Sequence, residues 1–219
     1  HYRGVWEKHG KNGLNEAAQA FRRYYDMRNG DVAKIMGEMA LKILDQQPPN
    51  ASSAMFAYRA MYQTRSYGGH YALSNQIGLK ALQKNVPFDE RHKWEVHHWM
   101  GDNFRHEKQY SNAIKSYRES IAANSISTET YKNLIRSLYD AEAPFGELQK
   151  AVEDYERKFS WERPHYRAEM KVLLARAKQR DGDLNGALSI GEQALKISAY
   201  HASTVFSWIP SGEEQKALH

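Results

Sequence analysis

Three residues of this chain have the spacing at which one helix could present ligands to a divalent cation: His98, Asp102 and His106, each four positions from the next. A helical period near 3.6 brings such positions onto one face, and imidazole with carboxylate is a donor set that suits zinc and similar ions. A complete centre needs a fourth ligand, and neither His92 nor His97 falls on that face. The competing reading is a mixed polar surface that includes histidine by chance, in a chain with 10 of them. Ligand or metal binding at His98, Asp102 and His106 is therefore an alternative, and no metal or cofactor is expected.

The carboxylates Glu153, Asp154 and Glu156 form a second cluster. On a helix only Glu153 and Glu156 are neighbours, and Arg157 stands four residues beyond Glu153 to pair with it. That describes a solvated face. Without a Gly-rich phosphate loop, a nucleophile elbow or an HExxH motif in the sequence, no enzymatic activity is expected. The chain has no Cys, which excludes disulfides and thiolate metal sites and is compatible with either the periplasm or the cytoplasm. Its 31 basic residues face 26 acidic ones without a long block of either sign, so a nucleic-acid partner is not favoured. No apolar run approaches the roughly 18 residues of a membrane helix, so no membrane insertion is expected. The N-terminal residues carry no signal-peptide pattern, as in an excised or processed chain.

These candidates sit in a stretch with strong helical periodicity. Trp94, His97, Met100, Gly101 and Phe104 recur at three and four residues. After the short polar segment His106–Ser111, the residues Ala113, Tyr117 and Ser120 repeat that period. Two amphipathic helices folded back on each other account for this pattern. Gly101 costs about 1 kcal/mol of helix propensity against Ala, so its expected use is close approach of the second helix, with Ala113 as the matching small surface. One such hairpin leaves an apolar side uncovered and needs stacked neighbours.

The rest of the chain supplies them. Ala17, Phe21 and Tyr24 form a helix capped by Asn15. Ile35, Met36, Met39, Ile43 and Leu44 line another, capped at its start and stopped by Pro48 and Pro49. A helix rich in Ala and Tyr from Ala51 is broken at Gly68 and Gly69, and is followed by one burying Leu73, Ile77, Leu79 and Leu82. Tyr131, Leu134, Ile135 and Leu138, then Leu148, Ala151, Val152 and Tyr155, make a further pair across the turn AEAPFG. A last pair follows Pro164, with Val172, Leu173, Leu174, Ala175 and Ala177 in its first helix and Ala187, Ile190, Ala194 and Leu195 in its second.

The stretch WEVHHWMGDNFRHEKQYSNAIKSYRESIAAN resembles a tetratricopeptide repeat, and RDGDLNGALSIGEQALKI resembles the second half of one, with Gly191 where an aromatic is usual. The resemblance implies an all-α fold: a right-handed superhelical solenoid of about five antiparallel helix pairs plus a capping segment, one domain over 1–219. Its best repeats span 94–127 and 165–198, its degenerate ones 1–28, 29–50, 51–86 and 128–161, and its tail 199–219. The first helix of each pair then lines a concave groove. The residues so placed are Met55, Arg59 and Tyr62; Glu95, His98, Asp102, Arg105 and His106; Glu129, Lys132, Arg136 and Tyr139; and Glu169, Arg176, Gln179 and Arg180. Arg with interleaved Tyr suits a protein segment carrying carboxylates, while the competing reading is a set of solvated helix faces. Lys132, Asn133 and Arg136 offer the residue types of a carboxylate clamp, but a matching second set is missing.

The expected function is thus a protein-protein interaction scaffold or adaptor that takes a partner segment, of acidic character, in that groove. A narrower expectation is the resemblance to periplasmic repeat regions of bacterial polysaccharide-export and outer-membrane assembly systems. Nucleic-acid binding through the groove arginines stands as a further alternative.

Overall fold

A computed structural model describes residues 29–198 of the chain. The repeat expected over 1–28, with Ala17, Phe21 and Tyr24, and the tail from 199 lie outside the described residues. Every regular element among the described residues is an α-helix, and none of those helices is long and apolar enough to cross a membrane. The chain divides between Ile126 and Ser127 into two compact units, an N-terminal and a C-terminal one.

The N-terminal unit holds α1 (Gly30–Gln46), α2 (Ala51–Gly68), α3 (Tyr71–Gln83), α4 (Glu90–His106) and α5 (Tyr110–Ala122). Local chemistry sets these bounds. The Asn29 side chain accepts from the N–H groups of Asp31 and Val32 and starts α1. Asn50 and Ser53 satisfy each other's backbone N–H at 2.9 Å in a reciprocal capping box that starts α2. Asp89 accepts from the His92 N–H at 2.7 Å, so α4 opens at Glu90, a turn earlier than the apolar pattern from Trp94 predicts.

Buried side chains of α1 to α4, among them Ile43, Leu44, Ala57, Met61, Ile77, Val96 and Met100, form one core. Tyr117 and Ala113 of α5 are also fully buried, in agreement with the periodicity. The second helix approaches closely at Gly101, as expected, and its Tyr117 ring supplies the tightest contact. A β-carbon there would lie 2.5 Å from the Tyr117 ring, which supplies the nearest atoms.

The C-terminal unit holds α6 (Thr128–Asp140), α7 (Phe145–Lys158), α8 (Pro164–Arg180) and α9 (Leu184–Ile197). Tyr131, Leu134, Ile135 and Leu138 of α6 are buried, as are Leu148, Val152 and Tyr155 of α7. Pro164 occupies the first turn of α8, where its missing N–H costs nothing. Asp183 caps α9 by accepting from the Gly186 N–H at 2.8 Å. The buried residues of α9 are the small Ala187, Gly191 and Ala194, which lets α8 and α9 lie close together.

Three of the described helix pairs share one turn. Lys108, Glu142 and Gly182 follow α4, α6 and α8 at the same position, each with positive φ (57°, 53° and 83°). In each case the next residue's N–H returns to a carbonyl five residues back: Gln109 to Phe104, Ala143 to Leu138 and Asp183 to Lys178. This is the left-handed helix termination that ties off orphan carbonyls. Lys108 and Glu142 are 34 residues apart, the length of one tetratricopeptide unit.

Candidate docking faces

In the N-terminal unit the first helices of two successive pairs, α2 and α4, meet through polar and aromatic side chains. Tyr58, Tyr62 and Arg65 share one face of α2 at helical spacing. Opposite them stand Glu95, Trp99 and Asp102 of α4. The Tyr58 hydroxyl donates to Glu95 Oε2 at 2.5 Å, and Arg65 pairs with Asp102 Oδ2 at 2.7 Å. The Tyr58 and Tyr62 rings lie 4.6 and 5.7 Å from the Trp99 ring, with the Arg65 guanidinium 5.7 Å from the centre of that ring. Asn103 is fully buried and donates from Nδ2 to Asn75 Oδ1 on α3.

Asp102 is the hub of this face. Besides Arg65 it accepts from the Tyr117 hydroxyl at 2.8 Å and lies 3.4 Å from His98 Nε2. Burial, and then the Asp102 carboxylate, push the Tyr117 phenol far above the ordinary tyrosine range, so Tyr117 stays a donor. The metal-binding alternative is corrected here. His98 and Asp102 come together, but His106 turns to stack on Tyr71 of α3, at 4.6 Å with the rings 1° from parallel. Among the described residues no group of three His, Asp or Glu is placed to hold a metal ion. A shared helix face brings residues to one side of the axis but does not make their side chains converge.

The C-terminal unit repeats the arrangement with different chemistry. Arg136 of α6 reaches Glu169 of α8 through Nε and Nη2 at 3.0 and 2.7 Å, and also donates to Asn133. Lys132 is 1% exposed, with Nζ 2.5 Å from Glu129 and 3.7 Å from the centre of the Tyr166 ring. Arg180 of α8 donates to the Tyr139 carbonyl and lies over the Tyr139 ring.

The expected site residues therefore divide into several groups. Tyr62, His98 and Asp102 are half-buried in the face between α2 and α4, and Arg59 of α2 and Arg105 of α4 are half-buried as well. His106 is exposed and stacked on Tyr71. Lys132, expected to face a ligand, is buried, and Arg136 is held by Glu169. Arg176 and Tyr139 are half-buried and Arg180 is exposed; the Arg176 Nε is a buried donor without a hydrogen-bond partner. Sequence reasoning missed Tyr58, Arg65, Trp99 and Tyr166, although the spacing of Tyr58, Tyr62 and Arg65 was a usable signal. The acidic cluster also pairs differently. Arg157 bonds Asp154, Glu153 accepts from Gln149, and Glu156 is 3.0 Å from Lys171 of α8.

No family model matches the sequence, and no curated protein matches it. Solved structures do. The chain is similar to MamA, with a TM-score of 0.52 at 20% identity over 76% of this chain and 89% of that one. It is also similar to a putative kinesin light chain of Podosopora anserina with nearly identical TPR-like repeats, with a TM-score of 0.56 at 15% identity over 85% of this chain and 95% of that one. A singly substituted form of the latter gives 0.53 at 14% identity, over 86% and 96%. At these identities the likeness is one of fold. The fold is an all-α, tetratricopeptide-like helical repeat.

Proposed function

We propose that the chain is a non-enzymatic protein-interaction scaffold that docks partner segments on the first-helix face of each unit. The observation that carries this reading is the repeated polar-aromatic face: Tyr58, Tyr62 and Arg65 against Glu95, Trp99 and Asp102 in one unit, and Arg136 against Glu169, with Tyr166 over the buried Lys132, in the other. Internal ion pairs and ring contacts hold these side chains in place, so a partner meets a face that needs little ordering. Of the groove arginines expected to meet an acidic partner, Arg136 already has a carboxylate of its own in Glu169.

The test is selection of displayed peptides on the whole chain, followed by binding measurements with two variant sets. Arg59→Ala, Arg105→Ala and Arg176→Ala together alter first helices. Lys115→Ala with Lys150→Ala alters exposed positions on second helices. A shared peptide motif whose binding is lost in the first set and kept in the second supports docking on the first-helix faces. Selection without any motif, or loss confined to the second set, overturns it.

A further inference from the structure

A cleft of about 560 Å³ opens in the N-terminal unit between the start of α4 and the segment after α5. Trp94 and Ile126 give it apolar walls, and Ile126 is 76% exposed. Two carboxylates, Glu90 and Glu95, line it with one guanidinium, Arg91, and with Asn124. The lining therefore carries one more negative than positive charge.

Glu95 is the unusual member, a carboxylate that is only 9% exposed. A buried carboxylate requires donors, and Glu95 has two of different standing. Tyr58 reaches Glu95 Oε2 from α2, with its ring tilted against that of Trp99. Arg91 reaches Glu95 Oε1 at 3.0 Å from one turn back on the same helix, but its side chain is 76% exposed. Only the arginine end of this pair is exposed to water, so Arg91 is the donor that an incoming guanidinium can replace. Glu90 makes no ion pair among the described residues. The cleft thus offers an indole and an aliphatic side chain as walls, a carboxylate with one exchangeable donor at its floor and a second carboxylate at its rim.

We propose that this cleft is the anchor pocket for one arginine side chain of a partner polypeptide, which displaces Arg91 from Glu95. The alkyl stem lies against Ile126, the guanidinium stacks on Trp94, and its N–H groups meet Glu95 and Glu90. An ammonium fits less well, because it has no planar face to stack. The anchor adjoins the docking face through Glu95 and rests on the proposed scaffold role only for the polypeptide nature of its occupant. Its sign is opposite to that of the carboxylate-bearing partner expected from the groove arginines.

The test is an NMR titration of the whole chain with N-acetyl-arginine methylamide, with the lysine and norleucine analogues as comparison arms. Signals are read at the Trp94 indole N–H, assigned through Trp94→Phe, and at the Ile126 methyl groups. Saturable shifts at both sites are expected with the arginine probe, weaker ones with lysine and none with norleucine. Arg91→Ala is expected to raise affinity about threefold by removing the internal competitor. Glu95→Gln is expected to lower it about tenfold, and Glu90→Gln, at an exposed position, to lower it less with the fold intact. Absence of shifts with the arginine probe, equal shifts with norleucine, or weaker binding in Arg91→Ala overturns the proposal. The free probe reads the cleft whether or not any peptide docks on the first-helix faces. Selected peptides that dock there without a basic residue overturn the anchor alone.

Discussion

Tyr117 lays its ring on Gly101 across the α4–α5 pair, where a β-carbon at 101 would come within 2.5 Å of the ring. The hydroxyl of the same ring reaches the neighbouring Asp102 at 2.8 Å. One aromatic residue thereby couples the packing of a hairpin to the polar face that the first helices share, because the glycine lets the ring in and the carboxylate fixes how far it goes.

Gly101→Ala is expected to destabilise the chain. Overpacking costs about 1–3 kcal/mol, and the gain in helix propensity offsets at most about 1 kcal/mol of it. A fall in melting temperature of roughly 2–8 °C is expected for a chain of this size. With Tyr117→Ala in the background, the same change becomes neutral or stabilising, because the ring it strikes is gone. A double-mutant cycle by urea unfolding checks this, and additive effects would mean that the two residues do not meet.

Lys132 is expected to serve the fold rather than a ligand, since its ammonium is enclosed by Glu129 and Tyr166. Lys132→Met keeps the alkyl volume and is expected to change stability by less than about 1 kcal/mol. Glu129→Ala strands the ammonium and is expected to cost more. Binding of first-helix peptides is expected to be unchanged in Lys132→Met; a several-fold loss would return Lys132 to the docking face.

Burial holds the His97 imidazole below its ordinary value of 6.5, against the pull of Glu119 and with the help of Lys93. The folded chain therefore binds this proton less readily than the unfolded chain. The contribution to stability is complete above about 6.5 and is lost as pH falls through that value toward the lowered one. Urea midpoints measured at about pH 7.5 and about pH 5.5 are expected to differ less in His97→Gln than in the wild type. Equal differences would assign the acid sensitivity to other groups.

The amino-acid sequence determined the helices, their order and most of their inward faces. Caps such as Asn29, the Asn50–Ser53 pair and Pro164 act through bonds within a few residues, and the 3.6-residue period assigns Leu134, Ile135 and Leu138 to one side of α6 whatever packs there. The shared turn at Lys108, Glu142 and Gly182 is equally local. Only the tertiary structure decided what each polar side chain meets. Periodicity gives an angle about a helix's own axis, whereas a partner on another helix depends on stagger and crossing between the two. Thus Lys132 proved buried under Tyr166, Arg136 joined Glu169, Gly101 received the Tyr117 ring, and His106 left the line of His98 and Asp102 to stack on Tyr71. The candidate docking face was legible as a set of first-helix positions. Its pairing, and the Tyr58–Glu95 bond beside the Trp94 cleft, came from helices that are distant in sequence.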